Sequence, residues 1–243
     1  MIVQETEIST AEGITPTFYA HPDGDGPFPA VILYMDAPGI REELRNFARR
    51  IADQGYFCIL PDMYYRLGTT RFNLAKRDDA MSVVIKACMN SIANELVIRD
   101  TKYWLAYLND HPKASSGPKG CVGYCMSGQY VLSAVGSYPD EFAAGVTLYG
   151  VGMVTDKPDS PHLLADKIQA ELLMSFAEDD PLVPDNVMPD LKTSLDTHKV
   201  NYQLEVPPDT KHGFCFPERA SYVKDAAEDV WVKLFELYEK RLK

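Results

Sequence analysis

A cysteine, an acid and a histidine, met in that order along the chain, are the side chains of this sequence that can do chemistry together. The cysteine stands in Gly123-Tyr-Cys125-Met-Ser-Gly128, which closes an apolar run from Lys119 and opens the helix-like stretch Gln129-Tyr-Val-Leu-Ser-Ala-Val135. Small residues two before and two after it, Gly123 and Ser127, suit a sharp strand-to-helix turn, where Cβ atoms would collide. The acid comes from Leu172-Leu-Met-Ser-Phe-Ala177-Glu-Asp-Asp-Pro-Leu-Val-Pro184, in which Glu178, Asp179 and Asp180 compete for the part. The histidine comes from Pro207-Pro-Asp-Thr-Lys-His212-Gly-Phe214. Among the 5 histidines, His21 and His111 precede the cysteine, His162 precedes the acid, and His198 closes a polar helix from Pro189 to Thr197. Position selects His212.

Each part has a chemical reason. Imidazole has an unperturbed pKa near 6.5, so it can take a thiol proton and later return one to a leaving group. A carboxylate fixes its tautomer and steadies the imidazolium. A thiolate at Cys125 also gains from the positive end of the helix that begins at Met126. A nucleophile on a strand-to-helix elbow, followed by acid and then histidine, is the order of α/β-hydrolases. That fold's rule places the oxyanion-binding N–H groups at Met126 and at Ala37, just past the first parallel strand. Ser127 as nucleophile would need Gly at 125 and 129, which hold Cys and Gln. Cys58, Cys88, Cys121 and Cys215 read as structural, since cysteine is among the most buried residue types.

The elements that must position these groups alternate. An entry hairpin covers 1–20 with a turn near Glu12-Gly13, and a loop follows through His21-Pro-Asp-Gly-Asp-Gly-Pro27. Ala30 to Asp36 is a buried strand, then a helix spans about 41–54, ended at Gln54-Gly55, and Phe57 to Asp62 is the next strand. Residues 63–80 include an irregular Tyr- and Arg-rich stretch, the one place for a lid, and helix is expected from about Lys76 to Leu108. Strand–helix alternation resumes over 120–138, 143–149, 170–177 and 199–206, with a closing helix over 221–241. Such repeats predict one α/β domain over 1–243, a mostly parallel sheet with helices on both faces, whose ligands bind beyond the carboxyl ends of the strands.

Composition bounds the function. The chain has 243 residues, 46% of them hydrophobic, enough for a large core. Its net charge of −11, from 35 acidic and 24 basic residues, argues against nucleic acid, which needs clustered Lys and Arg. The N-terminus lacks the basic and apolar regions of a signal peptide, and the longest apolar run, about Ala30 to Met35, is far short of a membrane span. The 5 cysteines are odd in number and irregular in spacing; Cys121 and Cys125, on one strand, would lie roughly 13 Å apart, too far to bridge. A reduced, cytoplasmic protein is expected, as a monomer or small homo-oligomer. Metal-ligand clusters and the dinucleotide glycine fingerprint are absent from the sequence, so no metal or organic cofactor is implied.

Over nearly its whole length the chain resembles the dienelactone hydrolase (carboxymethylenebutenolidase) family. Gly123 to Gly128 matches the family's Gly-x-Cys-x-Gly-Gly except at Ser127, and Asp180-Pro-Leu-Val-Pro184 matches its Asp-x-x-Val-Pro, which selects Asp180 as the acid. His212-Gly-Phe214 matches its His-x-Phe, with Arg219 and Tyr222 following; Pro61-Asp-Met-Tyr64 and Tyr149-Gly150 match two further motifs. The resemblance implies a thiol-activating carboxylate after the first strand, where the family has Glu and this chain has Asp36. It also implies a substrate-binding Arg four residues after the histidine, where this chain has Phe216. Arg71, Lys76, Arg77 and Arg219 are the candidate replacement cations. Tyr149, Phe216 and Arg219 are the expected substrate contacts; the plainer reading of Tyr149 is core, and of Asp36 a helix cap or a pair with Arg41. The expected function is a cysteine hydrolase that opens a small ester or lactone through a thioester. A short-chain carboxylesterase, a thioesterase and a catalytically silent ligand-binding relative are the alternatives.

Overall fold

The computed structural model describes all residues from Met1 to Lys243. They form two compact units, Met1–Gly117 and Pro118–Lys243.

In the first unit, β1 (Ile2–Thr10) and β2 (Gly13–His21) form the expected hairpin, closed with Thr10 opposite Gly13. Strand β2 runs antiparallel to β4 (Phe57–Pro61), which is parallel to β3 (Ala30–Tyr34). Both inner strands are buried throughout, which is why they read as unbroken apolar runs rather than alternating ones. Helix α1 (Glu42–Asp53) links them and buries Leu44, Phe47, Ala48, Ile51 and Ala52, an i, i+3, i+4, i+7, i+8 stripe. Gly55, at φ 97°, ends it with its N–H on the Ala52 carbonyl at 2.9 Å.

The helix expected from Lys76 to Leu108 is two helices, α2 (Asp79–Asn90) and α3 (Asn94–Asp110), bent by 71°. At the break Ser91 donates from Oγ to the Cys88 carbonyl at 2.6 Å, offering the backbone a local partner that competes with helix continuation. Before α2, residues 63–78 carry two short 3₁₀ turns, Tyr65–Leu67 and Leu74–Lys76. The first is pinned: Arg66 grips buried Asp100 of α3 with both guanidinium nitrogens, at 2.8 and 2.9 Å. Arg71 pairs with buried Asp62 at 2.7 Å. No single helix is long and apolar enough to cross a membrane.

In the second unit, β5 (Lys119–Tyr124), β6 (Phe142–Leu148), β7 (Glu171–Ser175) and β8 (Tyr202–Glu205) pair in that order, all parallel. Helices α4 (Gly128–Ser137) and α6 (Lys224–Leu242) cover opposite faces. A Cβ on Gly120 would press Tyr238 and Leu242 of α6 at 2.9 Å, while one on Gly145 would press Val131 and Val135 of α4. Gly120 pairs with Ala144 and Cys121 with Gly145, so the two glycines point to alternate faces. The expected closing helix begins three residues late, at Lys224, because 211–222 is a run of turns that serves the histidine. Helix α5 (Val187–Thr197) precedes β8, and His198 is its C-cap.

Candidate active site

Strand β5 delivers Cys125 onto the turn rather than carrying it as a strand residue: its φ is 55°, left-handed and rare for a side-chain-bearing residue, at a cost of about 1–2 kcal/mol. A 3₁₀ turn, Cys125–Ser127, leads into α4. Gly123 is indispensable because a Cβ there would lie 2.6 Å from the Ser127 carbonyl oxygen. Gly128 lies so close to Gly150 that its Cβ would reach 2.4 Å from the Gly150 Cα. Ser127 itself is right-handed, φ −85°, so the departure from glycine there carries no backbone penalty. The elbow's crowded positions are 123 and 128. Cys125 is 8% exposed, at the surface edge of the core.

The acid and histidine come from loops after β7 and β8, and those loops are zipped together. Asp179 N–H donates to the Thr210 carbonyl at 3.0 Å, and Glu178 N–H to Thr210 Oγ1 at 3.1 Å. Glu178 accepts the Asp209 N–H at 2.8 Å, and Asp179 and Lys211 form a bridge of parallel backbone. Of the three competing carboxylates, Asp180 alone reaches the ring, with Oδ2 2.8 Å from His212 Nδ1. Its Oδ1 accepts the Leu182 N–H at 3.0 Å, an Asx turn that orients the carboxylate. Ser221 Oγ donates to the His212 carbonyl at 3.0 Å.

Burial works against a charge on His212, yet the bond to Asp180 and the Cys125 sulfur outweigh it and push the ring up to about 9. Its Nε2 is buried without a well-aligned hydrogen bond. The Cys125 sulfur also acts on Tyr130, whose phenol is raised chiefly by burial. The site thus favours an imidazolium facing a sulfur.

Other expected contacts fall differently. Tyr149 and Phe216 are wholly buried in an aromatic cluster, with ring centroids 6.2 Å apart and Tyr124 beside both. Arg219 lays its guanidinium over the Phe216 ring at 4.4 Å and crowds Gly213, so the histidine loop does carry a cation. Arg71 is paired with Asp62, and Arg77 donates to Ser82 at 3.0 Å. Met126 is buried in the 3₁₀ turn.

In the first unit, Asp36 is fully buried and held by both terminal nitrogens of Arg41, at 2.5 and 3.1 Å, the plainer of its two readings. Arg41 also reaches Glu43 at 2.9 Å, and burial alone would lower its charge affinity, but the two carboxylates raise it. Ala37 follows, its carbonyl accepting from Tyr64 Oη at 2.8 Å. Sequence reasoning missed the Thr210 zipper, the Gly128–Gly150 contact and Glu43; only the Tyr149-Gly150 motif hinted at the second. No group of three or more His, Cys, Asp or Glu is arranged to hold a metal ion.

A cysteine on a left-handed elbow, with acid and histidine loops joined beyond later strand ends, is the arrangement of an α/β-hydrolase. That fold is shared with the "Putative Dienelactone Hydrolase" of Klebsiella pneumoniae, which superposes with a TM-score of 0.88 at 24% identity over 98% of each chain. A dienelactone hydrolase-like promiscuous phosphotriesterase from metagenomic libraries does so at 0.84 and 21%, over 100% of this chain and 99% of that one. A model of the dienelactone hydrolase family matches residues 15–242, and the chain belongs to that family. A "Putative carboxymethylenebutenolidase" of Synechocystis sp. is 27% identical over 229 residues, 93% of this chain and 92% of the relative. One of the same name from Methylorubrum extorquens is 25% identical over 240 residues, 96% and 79%.

Proposed function

We propose that the protein hydrolyses a small ester or lactone through a thioester on Cys125. The observation that carries the reading is the His212 ring, bonded to Asp180 at 2.8 Å and raised, against its burial, by Asp180 and then by the Cys125 sulfur. The thiolate attacks the acyl carbon, and the carbonyl oxygen becomes an oxyanion met by the Met126 N–H group at the start of the elbow turn. Collapse breaks the acyl carbon–oxygen bond, and His212 gives its proton to the departing alkoxide, which in a lactone stays tethered. Neutral His212 then takes a proton from water as the hydroxide adds to the thioester. The carbon–sulfur bond breaks, restoring thiolate and imidazolium and releasing the acid.

Arg219 is the proposed contact for a substrate carboxylate, because it stands on the histidine loop over Phe216, where the family's Arg is missing. The test of the whole reading is Cys125→Ala with p-nitrophenyl acetate and a lactone panel. Turnover should vanish with the fold retained. Persisting turnover, or a wild type inert to every activated ester, contradicts it.

A further inference from the structure

We propose that Tyr149 is a positioning residue for His212: its ring braces the imidazole edge-on, while the residues directly after it are locked to the elbow that bears Cys125. The inference rests on the assignment of Cys125, Asp180 and His212 above. It removes Tyr149 from the substrate contacts, since that side chain is fully buried.

Three observations converge. The Tyr149 and His212 ring centroids are 5.1 Å apart at 65°, a T-shaped contact. A second, independent attachment follows at once in the chain: a Cβ on Gly150 would lie 2.8 Å from the Gly128 Cα, and Val151 N–H donates to the Cys125 carbonyl at 2.9 Å. Tyr149 itself sits at φ 39°, a left-handed conformation that persists in a tyrosine only where its surroundings over-determine it. Those surroundings are visible. Its N–H donates to the Ser175 carbonyl at the end of β7 at 2.6 Å, and Phe214 packs against it at 5.3 Å.

The physical need is plain. Asp180 holds the imidazole through one nitrogen, and one hydrogen bond leaves the ring free to swing about that bond. A rigid ring packed against it removes that freedom. Because the same three-residue segment also grips the Cys125 backbone, sulfur and imidazole are referred to one fixed piece of chain.

The test compares Tyr149→Leu, Tyr149→Met and Tyr149→Phe with wild type, after circular dichroism and thermal melts establish folding. Methionine is included because its flexible side chain fills the space if leucine does not. Loss of the ring should cut kcat for p-nitrophenyl acetate by about 10²-fold with KM changed less than about threefold, the signature of misplaced reacting groups. The rate of Cys125 alkylation by iodoacetamide at pH 7 should fall in step, its pH profile moving toward that of an unassisted thiol. Phenylalanine should restore most of both. A folded leucine or methionine variant with an unchanged alkylation profile overturns the proposal, as does a phenylalanine variant as impaired as they are. Cys125→Ala run alongside separates the two ideas: if it still turns over ester, the catalytic assignment fails, whatever Tyr149 does. If it is inert while the ring-deleted variants behave as wild type, only the brace is lost.

Discussion

The proposed attack by the Cys125 sulfur at neutral pH needs a partner that prefers to hold the proton. His212 is such a partner, and Asp180 is a main reason, so Asp180→Asn should depress both alkylation and turnover. By analogy with triads in which amide replaces acid, kcat should fall on the order of 10³-fold or more; a loss below about tenfold would remove Asp180 from its part. Asp36 answers to a different measurement. Asp36→Asn leaves a buried guanidinium short of a partner, and breaking such a pair costs about 3–5 kcal/mol, read from the denaturant midpoint. If alkylation-versus-pH profiles of wild type and Asp36→Asn coincide, Asp36 is a structural pair and nothing more. At Arg219, alanine should raise KM for a carboxylate-bearing lactone about tenfold, the worth of one charge-assisted contact, and leave neutral p-nitrophenyl acetate alone. Much of this site was legible because the elbow is local: Gly123, Cys125 and Gly128 are neighbours in sequence. Choosing Asp180 over Glu178 and Asp179 on physical grounds was not possible, since the choice is made by Thr210, thirty residues downstream.

At the scale of elements, the glycines carry the argument. Gly128→Ala must displace the segment at Gly150, because no Cβ fits 2.4 Å from another Cα. Overpacking of that kind costs about 1–3 kcal/mol, and the shift should carry the Cys125 backbone with it, lowering kcat more than stability. Equal activity at wild-type melting temperature would contradict the close approach. Strands β3 and β4 were readable as unbroken apolar runs, and helix α1 by one apolar stripe of helical period. The break between α2 and α3 was hidden for the opposite reason. Ile92 keeps the apolar periodicity running while Ser91 and the flanking asparagines end the helix, so pattern and local propensity disagree there. The late start of α6 escaped for a tertiary reason: residues 211–222 are spent turning around His212.

For the whole molecule, two histidines set opposing slopes of stability with pH. Burial, with His21 nearby, lowers His111 below its ordinary value, so the unfolded chain binds its proton first and stability falls as pH drops through about 6.5. His212 is raised to about 9, so its contribution is complete below about 6.5 and is lost as pH climbs through 9. The melting temperature should therefore peak near neutrality. His111→Gln should flatten the acid limb and His212→Asn the alkaline one; unchanged limbs would mean that neither ring titrates as described.

The central claim is a covalent one, and it can be weighed directly. Wild-type protein mixed with p-nitrophenyl acetate, acid-quenched within the first turnover and digested, should yield one acetylated peptide, carrying the acyl group on Cys125 and losing it to hydroxylamine. A burst of p-nitrophenol with the acyl group on any other side chain, or turnover with no acylated Cys125 at any quench time, would contradict the account.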